Sequence, residues 1–183
     1  MITKVAIITP SLMNRNPLLL ECKSAVVNQD WDGEIFHAIA VDKLREGPAV
    51  VRNRLVNGLD PSYEWIAFVD DDDIIFPDHI STLVASSDGA DIVHSDCELY
   101  GYTKNWTARE FNLKEMMIEN YIPVTVLFRR SMFEKVGGFP VGRKHPADED
   151  FHLWIKCYKA GAKFVFVPKV TWLYRSLWQY SSR

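Results

Sequence analysis

The sequence predicts an α/β protein: a central, mostly parallel sheet, turning mixed in its second half, flanked by helices. Three observations carry this. Short β-branched apolar runs alternate with segments whose apolar residues recur at helical spacing, and the breaks between them hold Pro, Gly, Ser and Asp. The chain has 183 residues, 48% of them hydrophobic, so one domain can bury a core without help from a disulfide or a structural metal.

The elements follow in order. Residues 5–8 form a β-branched run stopped by Thr9-Pro10-Ser11, and residues 17–28 place Leu18, Cys22 and Ala25 on one helical stripe. A second apolar run, 35–41, ends at Asp42. Gly47-Pro48 then opens a helix reaching Leu55, with Pro48 suited to the first helical position and Gly58 to the exit. Residues 65–69 are a third strand ending in Asp70-Asp71-Asp72-Asp73; 77–86 return to helical spacing, and 91–94 offer a fourth strand. Parallel pairing with right-handed crossovers follows from this alternation. Beyond it come short strands at 99–102 and 124–128, helices at 113–120 and 131–136, and the stop Gly137-Gly138. Residues 149–160 read as one amphipathic helix with Asp148 as N-cap, and 164–167 and 170–174 read as final strands. No linker or repeat divides the chain, so 1–183 is expected to be one domain.

With 21 Lys and Arg against 24 Asp and Glu, the net charge is −3, and no basic block forms a nucleic-acid or anionic-lipid surface. Cys22, Cys97 and Cys157 lie far apart without C-x-x-C spacing, which fits buried thiols in a reducing, cytoplasmic setting. No leader pattern opens the chain and no 18 apolar residues run together, so no transmembrane segment is predicted. Asn105-Trp106-Thr107 matches the glycosylation pattern by chance in such a chain. Composition leaves the oligomeric state open.

Four consecutive aspartates at a strand end repel one another and raise each other's proton affinity unless a cation sits among them. In extended backbone, Asp70 and Asp72 would project to one side and Asp71 and Asp73 to the other, which is D-x-D geometry. Two carboxylates leave Mg²⁺ or Mn²⁺ open positions that diphosphate oxygens fill, and α/β sheets bind ligands beyond the carboxyl ends of their strands. The plainer alternative is a solvated acidic turn that caps the next helix.

Asp148-Glu149-Asp150 is a second acidic cluster, at a helix start, where caps and the helix dipole are the ordinary explanation. A carboxylate held there and facing a cleft could also accept a hydroxyl proton. The loops after the first strands supply weaker candidates. Thr9, Pro10 and Ser11 could hold ribose or phosphate oxygens, Asp42 a uracil-like imide, and Arg52, beside Asn53, a diphosphate. Among the histidines, His79, His94, His145 and His152 show no metal-ligand spacing, and core or surface roles are expected. Aromatic residues of the second half, among them Trp106, Trp172, Trp178, Tyr100, Tyr102 and Tyr180, could stack on sugars, although most aromatics pack in cores.

Ile7-Ile8-Thr9-Pro10-Ser11, Asp42, Val51-Arg52-Asn53, Phe68-Val69-Asp70-Asp71-Asp72-Asp73 with Pro77, Val136-Gly137-Gly138-Phe139, Glu149-Asp150 with Leu153-Trp154 and Gly161, and Tyr174-Arg175 occur in this order. Together they resemble the inverting family-2 glycosyltransferases of the GT-A fold, across residues 5–175. The resemblance implies a GT-A, Rossmann-like nucleotide-binding domain, with a donor half at 1–98 and an acceptor half with the catalytic base at 99–183. It implies that Thr9, Pro10, Ser11, Asp42, Arg52, Asn53, Asp70 and Asp71 contact the nucleotide sugar, a UDP-sugar, and that Asp70 and Asp72 hold Mn²⁺ or Mg²⁺. Asp150 would be the catalytic base, and Gly138, Phe139, Glu149 and Trp154 would lie on the acceptor side. Ser176 and Leu177 stand where many relatives place a metal-binding His, so water would complete the metal shell.

The implied reaction is non-processive transfer of one hexosyl group to a glycan or other hydroxyl acceptor, since the Q-x-x-R-W motif of processive synthases is absent. The cation would stabilise charge on the departing diphosphate while Asp150 takes the acceptor's proton in one inverting displacement. Rival readings are a Mg²⁺-dependent phosphatase or phosphotransferase with an Asp nucleophile, opposed by the acids following the third strand, and an inactive sugar-nucleotide-binding module. A nucleotidyltransferase would want a Gly-rich basic phosphate loop, which the sequence does not contain.

Overall fold

Strand β1 (Lys4–Ser11) is an inner strand of one seven-stranded sheet, paired on both edges, and its residues are apolar on both faces. Alternation sends Ala6 and Ile8 into one core cluster and Val5 and Ile7 into another, on opposite sides of the sheet. The computed structural model describes residues 2–101, 107–142 and 148–176.

Helix α1 (Asn16–Val27) leads from β1 to β2 (Glu34–Val41), and α2 (Pro48–Asn57) leads to β3 (Trp65–Phe68); β1 pairs with both strands in parallel. A turn joins β3 to β4 (Ile74–Ile75), and α3 (His79–Ala85) leads to β5 (Ile92–Gly101). The remainder is α4 (Leu113–Met116), β6 (Val126–Arg129), α5 (Arg130–Val136), α6 (Glu149–Lys159) and β7 (Phe164–Ser176). The sheet order is β2-β1-β3-β6-β5-β7-β4. Strand β6 runs antiparallel to β3 and β5, and β5 and β7 are parallel, so the sheet is mixed in its second half.

Helices cover both faces. Val56 of α2, Met132 and Phe133 of α5, and Leu153, Trp154 and Cys157 of α6 join the Ile8 face, while Cys22 and Val26 of α1 and Ile80 and Leu83 of α3 join the Ile7 face. Burying a side chain of this size is worth about 1.5–3 kcal/mol. All three cysteines are free and buried. Among the described residues no helix is long and apolar enough to cross a membrane.

Beyond the short β4 pair, which the sequence reading lacks, and a helix of only Leu113–Met116 where 113–120 is expected, three elements differ from the sequence reading. Thr9, Pro10 and Ser11 continue β1 rather than forming a loop, paired with Ile39, Ala40 and Val41. Pro10 is tolerated because its nitrogen lies on the side where Ile8 O meets Val69 N, beyond the last β3 residue in register. Residues 99–101 belong to β5, because β7 runs beside them. The two final strands are one, joined through Pro168-Lys169 at a bulge where the register jumps from Ser95↔Val167 to Asp96↔Val170. After that bulge β7 reaches β4, and Ile74 and Ile75 pair with Leu173 and Trp172.

Candidate active site

The four aspartates do not form an extended run. Asp73 N donates to Asp70 O at 3.2 Å, closing a turn between β3 and β4. The turn divides its carboxylates by burial instead of by strand alternation. Asp71 and Asp73 are 2% and 3% exposed, while the side chains of Asp70 and Asp72 are 32% and 18% exposed. Asp70 and Asp72 are thus the outward pair, for a reason other than the predicted pleat.

Each acid has a defined partner. Asp71 accepts from Ser11 Oγ at 2.6 Å, Leu12 N at 3.4 Å and Arg15 Nη1 at 2.8 Å, so it ties the end of β1 to the turn. Arg15, on a short 3₁₀ turn at Met13–Arg15, also lies 3.0 Å from Asp72 Oδ2. Asp73 accepts from Arg175 N at 3.1 Å, which latches the end of β7 against the turn, while Arg175 Nη2 donates to Glu21 at 2.7 Å. Burial, reinforced by the charge of Asp70, pushes Asp72 up to about 6, and burial with the neighbouring acids raises Asp73 well above the carboxylate range.

Arg52 does not face solvent. It is 2% exposed; Nη2 donates to Asp70 and Nη1 to Glu149 Oε1 at 2.9 Å, with the guanidinium 5.2 Å from the Phe139 ring centre. A single buried cation therefore joins the acidic turn to the start of α6. Glu149 positions that helix end instead of projecting toward an acceptor.

Asp150, the next residue, is half-buried; it accepts from Phe151 N at 2.7 Å and hydrogen-bonds the Asn120 side chain. Burial and the adjacent Glu149 charge push Asp150 up to about 7. Tyr174, 41% exposed on β7, feels the charges of Asp70, Asp72, Asp73 and Asp150; with burial, they raise its phenol to about 12, so it remains a neutral hydroxyl beside the acids.

Several expected contacts belong to the fold. Thr9 is fully buried, its hydroxyl 2.9 Å from His37 Nε2, and Ser11 is spent on Asp71. Pro10 is buried as well. Asp42 accepts from Glu46 N at 3.0 Å and Gly47 N at 2.8 Å, shaping the loop before α2. Asn53 grips Phe139 in both directions, Nδ2 to Phe139 O and Phe139 N to Oδ1, each at 2.9 Å. Gly138 is required there: its φ is +67° and a Cβ would come within 2.5 Å of Asn53 Oδ1.

Phe139 and Trp154 are buried core residues, Trp154 donating to Ile122 O at 3.1 Å, and neither presents a face to an acceptor. His79 and His94 are buried, as expected, and burial holds them near 3 and 4. His145, Trp106, Trp178, Tyr102, Tyr180, Asn105 and Leu177 lie outside the described residues.

Sequence reasoning missed Arg15 and Asn120, and the bridging role of Arg52. Their partners are 18 to 97 residues distant in the chain, and no local periodicity marks such pairs. A cavity of about 430 Å³ lined by Glu64, Arg129, Arg130 and Glu134 lies at the opposite end of β3 from the acids and shares no residue with them.

Asp70 and Asp72 carry the more exposed carboxylates of the turn, each with one oxygen paired to an arginine, and carboxylate oxygens are the donor type a hard divalent cation takes. Among the described residues no group of three or more His, Cys, Asp and Glu could enclose an ion, so remaining positions would fall to water and ligand oxygens.

No family model matches the chain. YwdF of Bacillus subtilis (strain 168), described as an uncharacterized glycosyltransferase, is 29% identical over 126 residues. The match covers 63% of this chain and 47% of YwdF, so the chain spans about half the length of that relative. Crystal structures of Staphylococcus aureus TarS residues 1–349 superpose with TM-scores of 0.72, and 0.73 for the complex with UDP-GlcNAc, at 18% and 19% identity. They cover 94% and 95% of this chain and 60% and 59% of TarS 1–349. The catalytic domain of Drosophila β1,4-galactosyltransferase 7 gives 0.61 at 19% identity, covering 90% of this chain and 65% of that one. The chain has the fold of the GT-A glycosyltransferases.

Proposed function

We propose that this chain is a glycosyltransferase domain that moves one hexosyl group from a UDP-sugar to a hydroxyl acceptor, non-processively and with inversion. The observation that carries the reading is the Asp70–Arg52–Glu149 bridge, which sets an outward acidic pair and a half-buried carboxylate on one rigid mount. The YwdF likeness and the fold shared with TarS, which binds UDP-GlcNAc, support the same class.

Asp150 acts as general base. A carboxylate near 7 is poised to hold a proton and release it at neutral pH, and such catalysis is worth about 10² to 10⁴. Asn120 and Phe151 N–H hold its carboxylate in one orientation. The nucleotide sits beyond the carboxyl ends of β1 and β3, between the turn and the Asp42 loop. Mn²⁺ or Mg²⁺ would be held by Asp70 and Asp72, and when bound it supplies positive charge where the diphosphate leaves. Arg52 and Glu149 are positioning residues: they hold donor acids and base at a fixed separation. The whole chain works as one unit, and its free, buried thiols support a cytoplasmic setting.

A thermal-shift screen of nucleotides and sugar nucleotides, with and without Mn²⁺, tests the reading. One UDP-sugar should raise the melting temperature and slowly release UDP. Turnover of phosphomonoesters instead would move the chain to the phosphatase reading; stabilisation without turnover would make it an inert binding module.

A further inference from the structure

Arg52 and Arg15 both neutralise the acidic turn, but only one is placed to leave. Arg52 is fully enclosed between Asp70 and Glu149, and moving it would strand the buried Glu149 and release the outward Asp70. Arg15 stands at the rim on a three-residue 3₁₀ turn; its side chain is 13% exposed, and one nitrogen, Nη1, serves both Asp71 Oδ1 at 2.8 Å and Asp72 Oδ2 at 3.0 Å. Asp71 keeps Ser11 and Leu12 N as donors if Arg15 departs. One carboxylate oxygen of Asp72, Oδ2, is therefore already held by the protein's own cation.

We propose that Arg15 is an exchangeable counter-ion at Asp72, which excludes a bare divalent cation and yields only to one arriving with a nucleoside diphosphate. The inference rests on the glycosyltransferase reading for its ligand. Electrostatics gives the reason: a guanidinium and a dication repel at this separation, whereas diphosphate oxygens offer the released guanidinium new acceptors. Cation and nucleotide binding are thereby coupled, and the coupling is reciprocal.

The test is Mn²⁺ titration followed by the electron paramagnetic resonance signal of the free ion, with and without UDP. Wild type should bind Mn²⁺ weakly alone and tightly with UDP. Arg15→Gln should bind Mn²⁺ alone about tenfold or more tightly than wild type, and the gain from UDP should shrink. Arg15→Lys, which keeps the charge, and Lys163→Gln, which removes an exposed cation elsewhere, should stay near wild type. Equal Mn²⁺ affinity in Arg15→Gln and wild type, absence of Mn²⁺ binding in both, or the same gain in Lys163→Gln overturns the exchange. If Arg15→Gln melts before titration, a wild-type Mn²⁺ affinity indifferent to UDP overturns it. UDP binding by wild type, measured without metal, reports separately on the parent reading.

Discussion

The Asp70–Asp73 turn and the Asp148–Asp150 helix start crowd acids into three or four consecutive positions, yet the protein treats them differently. The turn is neutralised from many directions: Arg15, Arg52, Ser11 and two backbone N–H groups take up its carboxylates. At the helix start the one guanidinium goes to Glu149, and Asp150 keeps two neutral donors, Asn120 and Phe151 N–H, against the charge of its neighbour. The first arrangement ties Asp70 and Asp71 to guanidinium groups, yet burial still pushes Asp72 up to about 6 and Asp73 well above the carboxylate range. The second makes a carboxylate reluctant to stay ionised, which is the property of a base. Burial first, then neighbouring charges and donors, sets the proton affinity of each cluster.

Four substitutions and one pH profile sharpen this contrast. Asp150→Asn should lower transfer about 10²- to 10⁴-fold while UDP-sugar affinity, read by thermal shift, is retained. Arg52→Met removes the shared cation and leaves Asp70 and Glu149 without it; chemical denaturation should show a loss of about 3–5 kcal/mol. Asp72→Ala should weaken Mn²⁺-dependent UDP binding by tenfold or more in calorimetry, with little effect on metal-free binding. Gly138→Ala forces a left-handed φ on a residue with a Cβ and presses it onto Asn53, costing about 1–3 kcal/mol in the same denaturation assay.

The pH profile is the smallest effect. Asp150 works when deprotonated, so kcat/KM should rise through about pH 7. Glu149→Gln removes the like charge that raises this group, so the midpoint should move to lower pH. An unchanged midpoint would separate Asp150 from the rate. Stability follows the opposite direction: because the folded state binds the Asp150 proton more tightly than the unfolded chain, this residue's contribution falls as pH rises from about 4 to about 7. Asp150→Asn should therefore help melting temperature more at pH 8 than at pH 4.

Much of the fold was legible in the chain because strands and helices announce themselves locally. The β-branched runs at β1 and β3 are short-range patterns that burial then satisfies, whereas of the stripe read on α6, Phe151, Trp154, Ile155 and Tyr158, only Trp154 is fully buried, beside Leu153 and Cys157. Strand β7 was legible only in pieces, since a bulge at Pro168-Lys169 interrupts the periodicity that would have joined them. Within the site, the residue types were legible and their tasks were not. Asp42 and Asn53 look like ligand contacts in one dimension, but three-dimensional packing gives them backbone partners, at Gly47 and Phe139, that no spacing rule identifies. Arg52 too looks like a phosphate contact in one dimension; only the arrival of Glu149, 97 residues later, encloses it.

By itself, then, the sequence determined which segments become strands and helices, where acids gather, and that a mixed α/β sheet would present them at strand and helix ends. Those properties arise from side-chain periodicity and charge, which neighbours in the chain settle among themselves. Tertiary structure decided which carboxylates turn outward, which arginine is locked and which stands at the rim, and that Asp150 sits where ionisation is disfavoured. Solvation and charge pairing depend on groups distant in sequence, so they come into being only when the sheet closes and brings Arg15, Arg52, Asn120 and Arg175 against the acids.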